Sequence, residues 1–307
     1  MSNPRVLLHL GLPKTATSSL QHNVFQKLHE HEKGRINFLG KCLDYDYKTG
    51  RINVNNNTGN FIRHAVEGTL AIKEARLKLA YTLRSDCLNV FSDEGLMVAY
   101  PGKKNRPLVD KFQNLVKMFQ DYDVKVVVTL REPVDYLYAL YVELYPDFFC
   151  NVNELNSVQK YVEYLLSNPK DVLFESFFID RWLPELESRF EVIVFRYDQL
   201  LGKDSSWYQG WAEILGLSVD EFSHNFDSQK LNVKSKSNKE VKKTVDFKGV
   251  ESKFRSILAK NRNIFNAVRW LYNVSLLNKV LNYRFSSRVT HQYPQGEQYE
   301  RLQRLLG

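Results

Sequence analysis

Nowhere does the chain contain the roughly 18 to 20 uninterrupted apolar residues that a membrane-spanning helix needs. The opening Met1-Ser2-Asn3-Pro4-Arg5 carries no apolar signal core. A soluble, unexported, cytoplasmic protein is the expectation. Cysteine is scarce: Cys42, Cys87 and Cys150 lie far apart, with no CxxC pair and no close histidine cluster. That excludes a disulfide framework and a structural zinc site, and it fits a reducing compartment. No internal repeat and no clear linker occurs. What remains is 307 residues, 43% hydrophobic and 25% charged, enough for one large core or two small ones. The formal charge of +8 attracts anions, and charge alone leaves nucleic acid, anionic lipid, a polyphosphorylated small molecule and an acidic acceptor all open.

The order of elements is more selective. Val6-Leu7-Leu8-His9-Leu10 is a short apolar strand that stops at Gly11-Leu12-Pro13, and a helix from about Thr17 to Leu28 follows. Residues 37–60 turn polar and aromatic and read as an insertion loop. Phe61 to Thr82 reads as helix, Leu88 to Ser92 as a second buried strand and Val109 to Phe119 as a crossover helix. Lys125 to Leu130 is a β-branched run suited to a central parallel strand covered on both faces. Pro133 then opens a helix, placed where the first turn tolerates it. A helix over Glu175 to Arg189, a strand over Glu191 to Tyr197 and a helix over Trp207 to Leu215 complete the alternation. Strand and helix in turn predict βαβ units and a three-layer α/β/α fold with a central parallel sheet. Residues 1–250 are expected to form this domain, with residues 251–307 as a helical, basic C-terminal extension packed on it. The tail from Ser252 to Arg288 reads either as a helical cap with a solvated basic face or as a peripheral membrane contact.

The stretch from His9 to Leu20 carries the most chemistry. A strand that turns into a helix N-terminus presents backbone N–H groups and a positive dipole end to an anion. Lys14 adds a full charge, and Thr15, Thr17, Ser18 and Ser19 add hydroxyls. Such hydroxyls also serve as plain helix caps, and it is Lys14 that tips the reading toward phosphate. Lys14-Thr15 matches the last pair of a Walker A loop, but Pro13 stands where that loop needs its wrapping glycine.

Pro13-Lys14-Thr15-Ala16-Thr17-Ser18 resembles the 5′-phosphosulfate loop, PKxGT[TS], of sulfotransferases that use 3′-phosphoadenosine 5′-phosphosulfate (PAPS), with Ala16 at the glycine position. The stretch from Val126 to Tyr141 resembles the family's 3′-phosphate region, an arginine followed eight residues on by a serine. Here these are Arg131 and Ala139. The missing hydroxyl removes a hydrogen bond to a charged group worth about 1.5 to 3 kcal/mol. The lysine-rich segment from Asn232 to Lys239 offers donors that could compensate, or is an unstructured loop. Phe195-Arg196-Tyr197-Asp198-Gln199-Leu200 is similar to the strand-end segment whose tyrosine lies near adenine, which nominates Tyr197; a core tyrosine is the other reading.

The resemblance implies a P-loop-like sulfotransferase fold, PAPS as sulfuryl donor with 3′-phosphoadenosine 5′-phosphate (PAP) as product, and no metal. Pro13, Lys14, Thr15, Ala16, Thr17, Ser18 and Ser19 would surround the 5′ end, with Lys14 also at the leaving oxygen. Attack by an acceptor hydroxyl requires a base within hydrogen-bond reach. Glu94, in Ser92-Asp93-Glu94 at the end of the second strand, is the first candidate, with capping of the next turn as its alternative role. His9 is the rival base. Tyr45, Tyr47, Tyr145, Phe148 and Phe149 would suit stacking on the rings of a carbohydrate or other small-molecule acceptor. Two other classes stay open. One is a P-loop small-molecule kinase using Asp93 for magnesium; the other is a non-catalytic binder of anionic lipid or nucleic acid. No RNA-binding signature or evident recognition helix supports nucleic acid as a partner.

Overall fold

The structure is a computed structural model that describes residues 3–30, 35–40, 45–46, 51–52, 59–150, 152–227, 239–244 and 286–307. Its centre is a five-stranded, all-parallel sheet of β1 (Arg5–His9), β2 (Ile36–Phe38), β5 (Leu88–Ser92), β6 (Asp123–Leu130) and β7 (Glu191–Arg196), in the order β2-β5-β1-β6-β7. The short pairs β3 (Tyr45–Asp46) with β4 (Arg51–Ile52), and β8 (Lys239–Thr244) with β9 (Ser286–His291), are antiparallel and separate from it.

Helices flank the sheet, because the central strands are apolar on both sides. Leu7 and Val127 face one layer, Leu8, Val126 and Val128 the other, and all are buried. On the first side lies a helical run made of α1 (Thr17–Ser19), a π-helical segment (Leu20–Phe25) and α2 (Gln26–Glu30). It shares one core with α10 (Ser205–Leu215) and α11 (Val219–Phe226), through Leu20, Val24, Phe25, Trp207, Trp211 and Phe222. The other helices among the described residues are α3 (Asn60–Val66), α4 (Ile72–Thr82), α5 (Leu108–Phe119), α6 (Pro133–Leu144), α7 (Val158–Ser167), α8 (Ile179–Glu187), α9 (Tyr197–Leu201) and α12 (Gly296–Leu306). The predicted three-layer α/β/α architecture is therefore present. Among the described residues no helix is long and apolar enough to cross a membrane.

The chain divides into two compact units, one of residues 1–140, 162–235 and 294–307 and one of residues 141–161 and 236–293. In the second, Tyr141, Tyr145, Phe149 and Tyr161 pack their rings on one another, with Tyr141 and Phe149 stacked at 5.2 Å. His291 sits edge-on to Tyr145 at 4.3 Å. Tyr145 and Phe149 are thus buried in this cluster, which corrects the expectation that they offer free faces to a sugar.

Local differences from the sequence reading have simple causes. Residues 36–38, assigned in part to an insertion loop, form the edge strand β2, too short for an alternation to be visible. The predicted helix from Glu175 starts as a 3₁₀ turn over Val172–Phe177, capped by Asp171, and becomes α-helical only at Ile179. Ser286 to Arg288, read as the end of a helical tail, belong to β9. The rest of that tail and the lysine segment up to Asn238 lie outside the described residues, as do Tyr47 and the side chain of Tyr45.

Candidate active site

Parallel strands bring their carboxyl ends to one edge, where open α/β sheets bind ligands. His9 is in register with Ser92 on one side and Val127 on the other, and Leu130 with Arg196. The phosphate loop, the Asp93-Glu94 pair, Arg131 and Tyr197 consequently leave the sheet from the same edge.

After β1 the backbone follows β6 a little further, with Leu10 N donating to Val127 O at 2.9 Å and Leu12 N to Thr129 O at 3.4 Å. It then turns through two left-handed residues, Lys14 (φ 67) and Ala16 (φ 67, ψ 16). A side chain in that conformation costs about 1 to 2 kcal/mol, and neither residue is glycine. Ala16 therefore adopts a backbone that glycine would supply without strain. Thr15 is buried and its hydroxyl donates to Leu12 O at 2.5 Å, so it stitches the loop. Thr17 is 3% exposed, and its Oγ1 has no hydrogen-bond partner among the described residues. Ser19 is buried, whereas Pro13, Lys14, Ala16 and Ser18 are partly exposed.

Arg131 reaches this loop from β6. Its Nη1 donates to Lys14 O at 3.1 Å, its guanidinium carbon lies 5.1 Å from the centre of the Tyr197 ring, and Nη2 is 4.0 Å from Asp135 Oδ2. Its Nε is buried without a partner among the described residues. The loop after β1 and the end of β6, which the sequence separates by more than a hundred residues, thus touch. Tyr197 is partly exposed at the start of α9. Its ring lies against a cation and outside the core. Ala139 is buried on α6 and offers only a methyl group.

His9 is 0% exposed, with Nδ1 hydrogen-bonded to Ser92 Oγ at 2.7 Å and its ring edge-on to Trp211 at 5.3 Å and to Phe25 at 5.8 Å. A Cβ on Gly11 would come within 2.9 Å of His9 Nε2, so glycine lets the loop pass directly over the imidazole. Burial lowers the His9 pKa to about 3. A neutral imidazole sealed beneath the loop does not meet an acceptor, and the rival-base expectation is corrected to a structural role.

Glu94 opens a 3₁₀ turn over Glu94–Met97 and is partly exposed. Gln21 Nε2 donates to Glu94 Oε2 at 3.0 Å and to Ser92 Oγ at 2.9 Å, joining the helix that follows the phosphate loop to the end of β5. Asp93 caps the same turn by accepting from Gly95 N at 2.9 Å and pairs with Arg63 at 3.3 Å. Arg63 Nη2 donates to Gly95 O at 3.1 Å. Buried Lys111, its pKa lowered by desolvation, donates to Leu96 O at 2.8 Å and pairs with Glu67 at 2.9 Å. Two cations therefore grip the turn that carries Glu94. Burial also raises the pKa of Tyr100, which hydrogen-bonds Arg63. Sequence reasoning missed Gln21, Arg63 and Lys111. Only Gln21 left a signal, one helical turn after Thr17.

The chemistry of this donor set fits a doubly phosphorylated nucleotide. It combines a cation in a strained loop, an arginine at the neighbouring strand end, and buried Thr17 Oγ1 and Arg131 Nε without partners among the described residues. Among the described residues no cluster of three or more His, Cys, Asp or Glu could hold a metal ion.

No protein-family model and no curated protein matches the chain. Among solved structures, a sulfotransferase from Alicyclobacillus acidocaldarius aligns over 87% of this chain and 96% of its own at 15% identity, TM-score 0.40. Retinol dehydratase in complex with androsterone and the inactive cofactor PAP aligns over 74% of this chain and 64% of its own at 14% identity, TM-score 0.33. Likeness at that level is weak, and what the chain does is read from its own residues.

Proposed function

We propose that the chain transfers the sulfuryl group of PAPS to an acceptor hydroxyl, releasing PAP. The observation that carries this reading is the hydrogen bond of Arg131 Nη1 to Lys14 O at 3.1 Å, which joins two phosphate-binding signatures into one site. Bound PAPS supplies an activated sulfuryl group and a good leaving phosphate. The protein's task is then to position, to neutralise charge and to take one proton.

Lys14 and the N–H groups of the turn from Thr15 to Ser18 face the 5′ end, and Lys14 offsets charge on the departing oxygen. Arg131 takes the 3′-phosphate without the help of a serine, because Ala139 has no donor. Tyr197, already against the Arg131 guanidinium, offers its ring to adenine. Glu94 accepts the hydroxyl proton through the carboxylate oxygen that Gln21 does not hold. A carbohydrate acceptor remains part of the proposal on the aromatic residues near position 45 alone. The kinase reading loses ground: Asp93, its metal ligand, is committed to Arg63 and Gly95 N. The basic tail, on which a lipid or nucleic-acid binder would depend, lies outside the described residues.

Calorimetric titration with PAP, set against ATP with magnesium, tests the proposal in the unaltered protein and in Lys14→Ala. Metal-independent binding of PAP that Lys14→Ala abolishes supports it. Binding of magnesium-ATP alone, or PAP binding indifferent to Lys14, defeats it.

A further inference from the structure

The guanidinium of Arg131 is divided in its attachments. Nη1 is spent on the protein itself, on the carbonyl of Lys14 at 3.1 Å. Nε has no partner among the described residues, and Nη2 has only Asp135 at 4.0 Å. The carbonyl that Nη1 holds belongs to a residue in the left-handed region, with Ala16 in the same region two positions on. A loop with two such non-glycine residues does not keep its shape through local preference and requires ties from outside. Several ties meet it, among them Ser19 N and Leu20 N on Ala16 O at 3.0 and 3.2 Å. Thr15 Oγ1 fastens the loop to Leu12 O, Leu12 N fastens its root to β6, and Arg131 reaches the strained turn itself. The side chain is part-buried, which keeps this charged hydrogen bond out of bulk water and strengthens it.

Resting on the sulfotransferase reading above, we propose that Arg131 is a positioning residue for the phosphate loop as well as the contact of the 3′-phosphate. Nη1 keeps the Lys14 turn in the shape that receives the 5′ end, and Nε and Nη2 remain for the 3′ end. One side chain thereby couples the two ends of the nucleotide. A residue that served the 3′-phosphate alone would be invisible to a nucleotide lacking that group. Arg131 is not.

The test is a calorimetric comparison of PAP with adenosine 5′-monophosphate, which lacks the 3′-phosphate, in the unaltered protein, Arg131→Met and Arg131→Lys. Arg131→Met should weaken the monophosphate about tenfold, the equivalent of one charged hydrogen bond, and PAP by a larger factor. Arg131→Lys keeps a cation for the 3′-phosphate but lacks the fork to reach Lys14 O as well. It should weaken both nucleotides while preserving a preference for PAP. Loss confined to PAP in both variants overturns the positioning role and leaves the proposed function intact. If the unaltered protein binds neither nucleotide, or binds the two equally, the sulfotransferase reading falls and this inference with it. Thermal melting of each variant identifies one that has not folded. Should Arg131→Met fail there, Arg131→Lys decides alone: weakening of both nucleotides supports the role, and weakening of PAP only overturns it.

Discussion

Gln21 Nε2 lies 3.0 Å from Glu94 Oε2, and the amide has no choice of orientation. Ser92 O, at 3.3 Å, and the carboxylate oxygen both only accept, so the nitrogen must face them. The bond links the helix leaving the phosphate loop to the proposed base, and it leaves one carboxylate oxygen for the acceptor. Glu94→Gln is predicted to lower kcat for sulfuryl transfer about 100-fold or more, the usual worth of a general base. Gln21→Met should lower kcat about tenfold with PAP affinity unchanged, and should cost nothing further in a Glu94→Gln background. Additive losses in the double variant would mean that Gln21 does not act through Glu94.

At Ala16 the strain has a direct readout. With φ 67 the methyl group is disfavoured by about 1 to 2 kcal/mol, and glycine removes that cost while adding some freedom to the unfolded chain. Ala16→Gly is therefore predicted to raise the unfolding free energy by about 0.5 to 1 kcal/mol, measured by urea denaturation. A lower midpoint would contradict a left-handed backbone at this position.

How far the sequence discloses this site depends on how local each feature is. The strand, turn and helix from Val6 to Leu28 and the β-branched run before Arg131 are legible because each is written in neighbouring residues. Sheet order brings them together without further information, since right-handed crossovers place all the carboxyl ends at one edge. Gln21, Arg63 and Lys111 are not legible. Each acts on a turn between 15 and 73 residues away in sequence, through contacts that only the tertiary packing creates. β2 is hidden for a different reason: three residues are too few to show a period.

His9 makes stability depend on pH with a definite sign. Its folded pKa is lowered by burial to about 3, while the unfolded chain titrates near 6.5. Between those values the unfolded state binds the extra proton, so stability is full above about 6.5 and falls as pH decreases toward 3, by up to about 1.4 kcal/mol per unit. Urea unfolding at pH 7.5 and at about pH 5.5 should differ accordingly. His9→Gln, which cannot charge, should remove that part of the slope even if it lowers stability at both values. An unchanged slope in the variant would place the titration elsewhere.

Asp93 and Arg63 give the last prediction, because two roles of one carboxylate can be separated there. Oδ1 caps the turn by accepting from Gly95 N, and the charge pairs with Arg63, whose guanidinium lies so close over Gly95 that a Cβ there would meet Nη2 at 2.6 Å. Asp93→Asn keeps an oxygen for the cap but removes the charge, and should cost about 1 kcal/mol in urea unfolding. Asp93→Ala removes both and strands a part-buried guanidinium, and should cost about 2 to 4 kcal/mol. In either variant the effect on kcat should follow from displacement of Glu94, with the affinity for PAP retained, since the phosphate loop is fastened to β6 and to Arg131. Magnesium should alter neither binding nor rate in the unaltered protein. A magnesium requirement that Asp93→Asn abolishes would instead identify Asp93 as a metal ligand and return the kinase reading to the front.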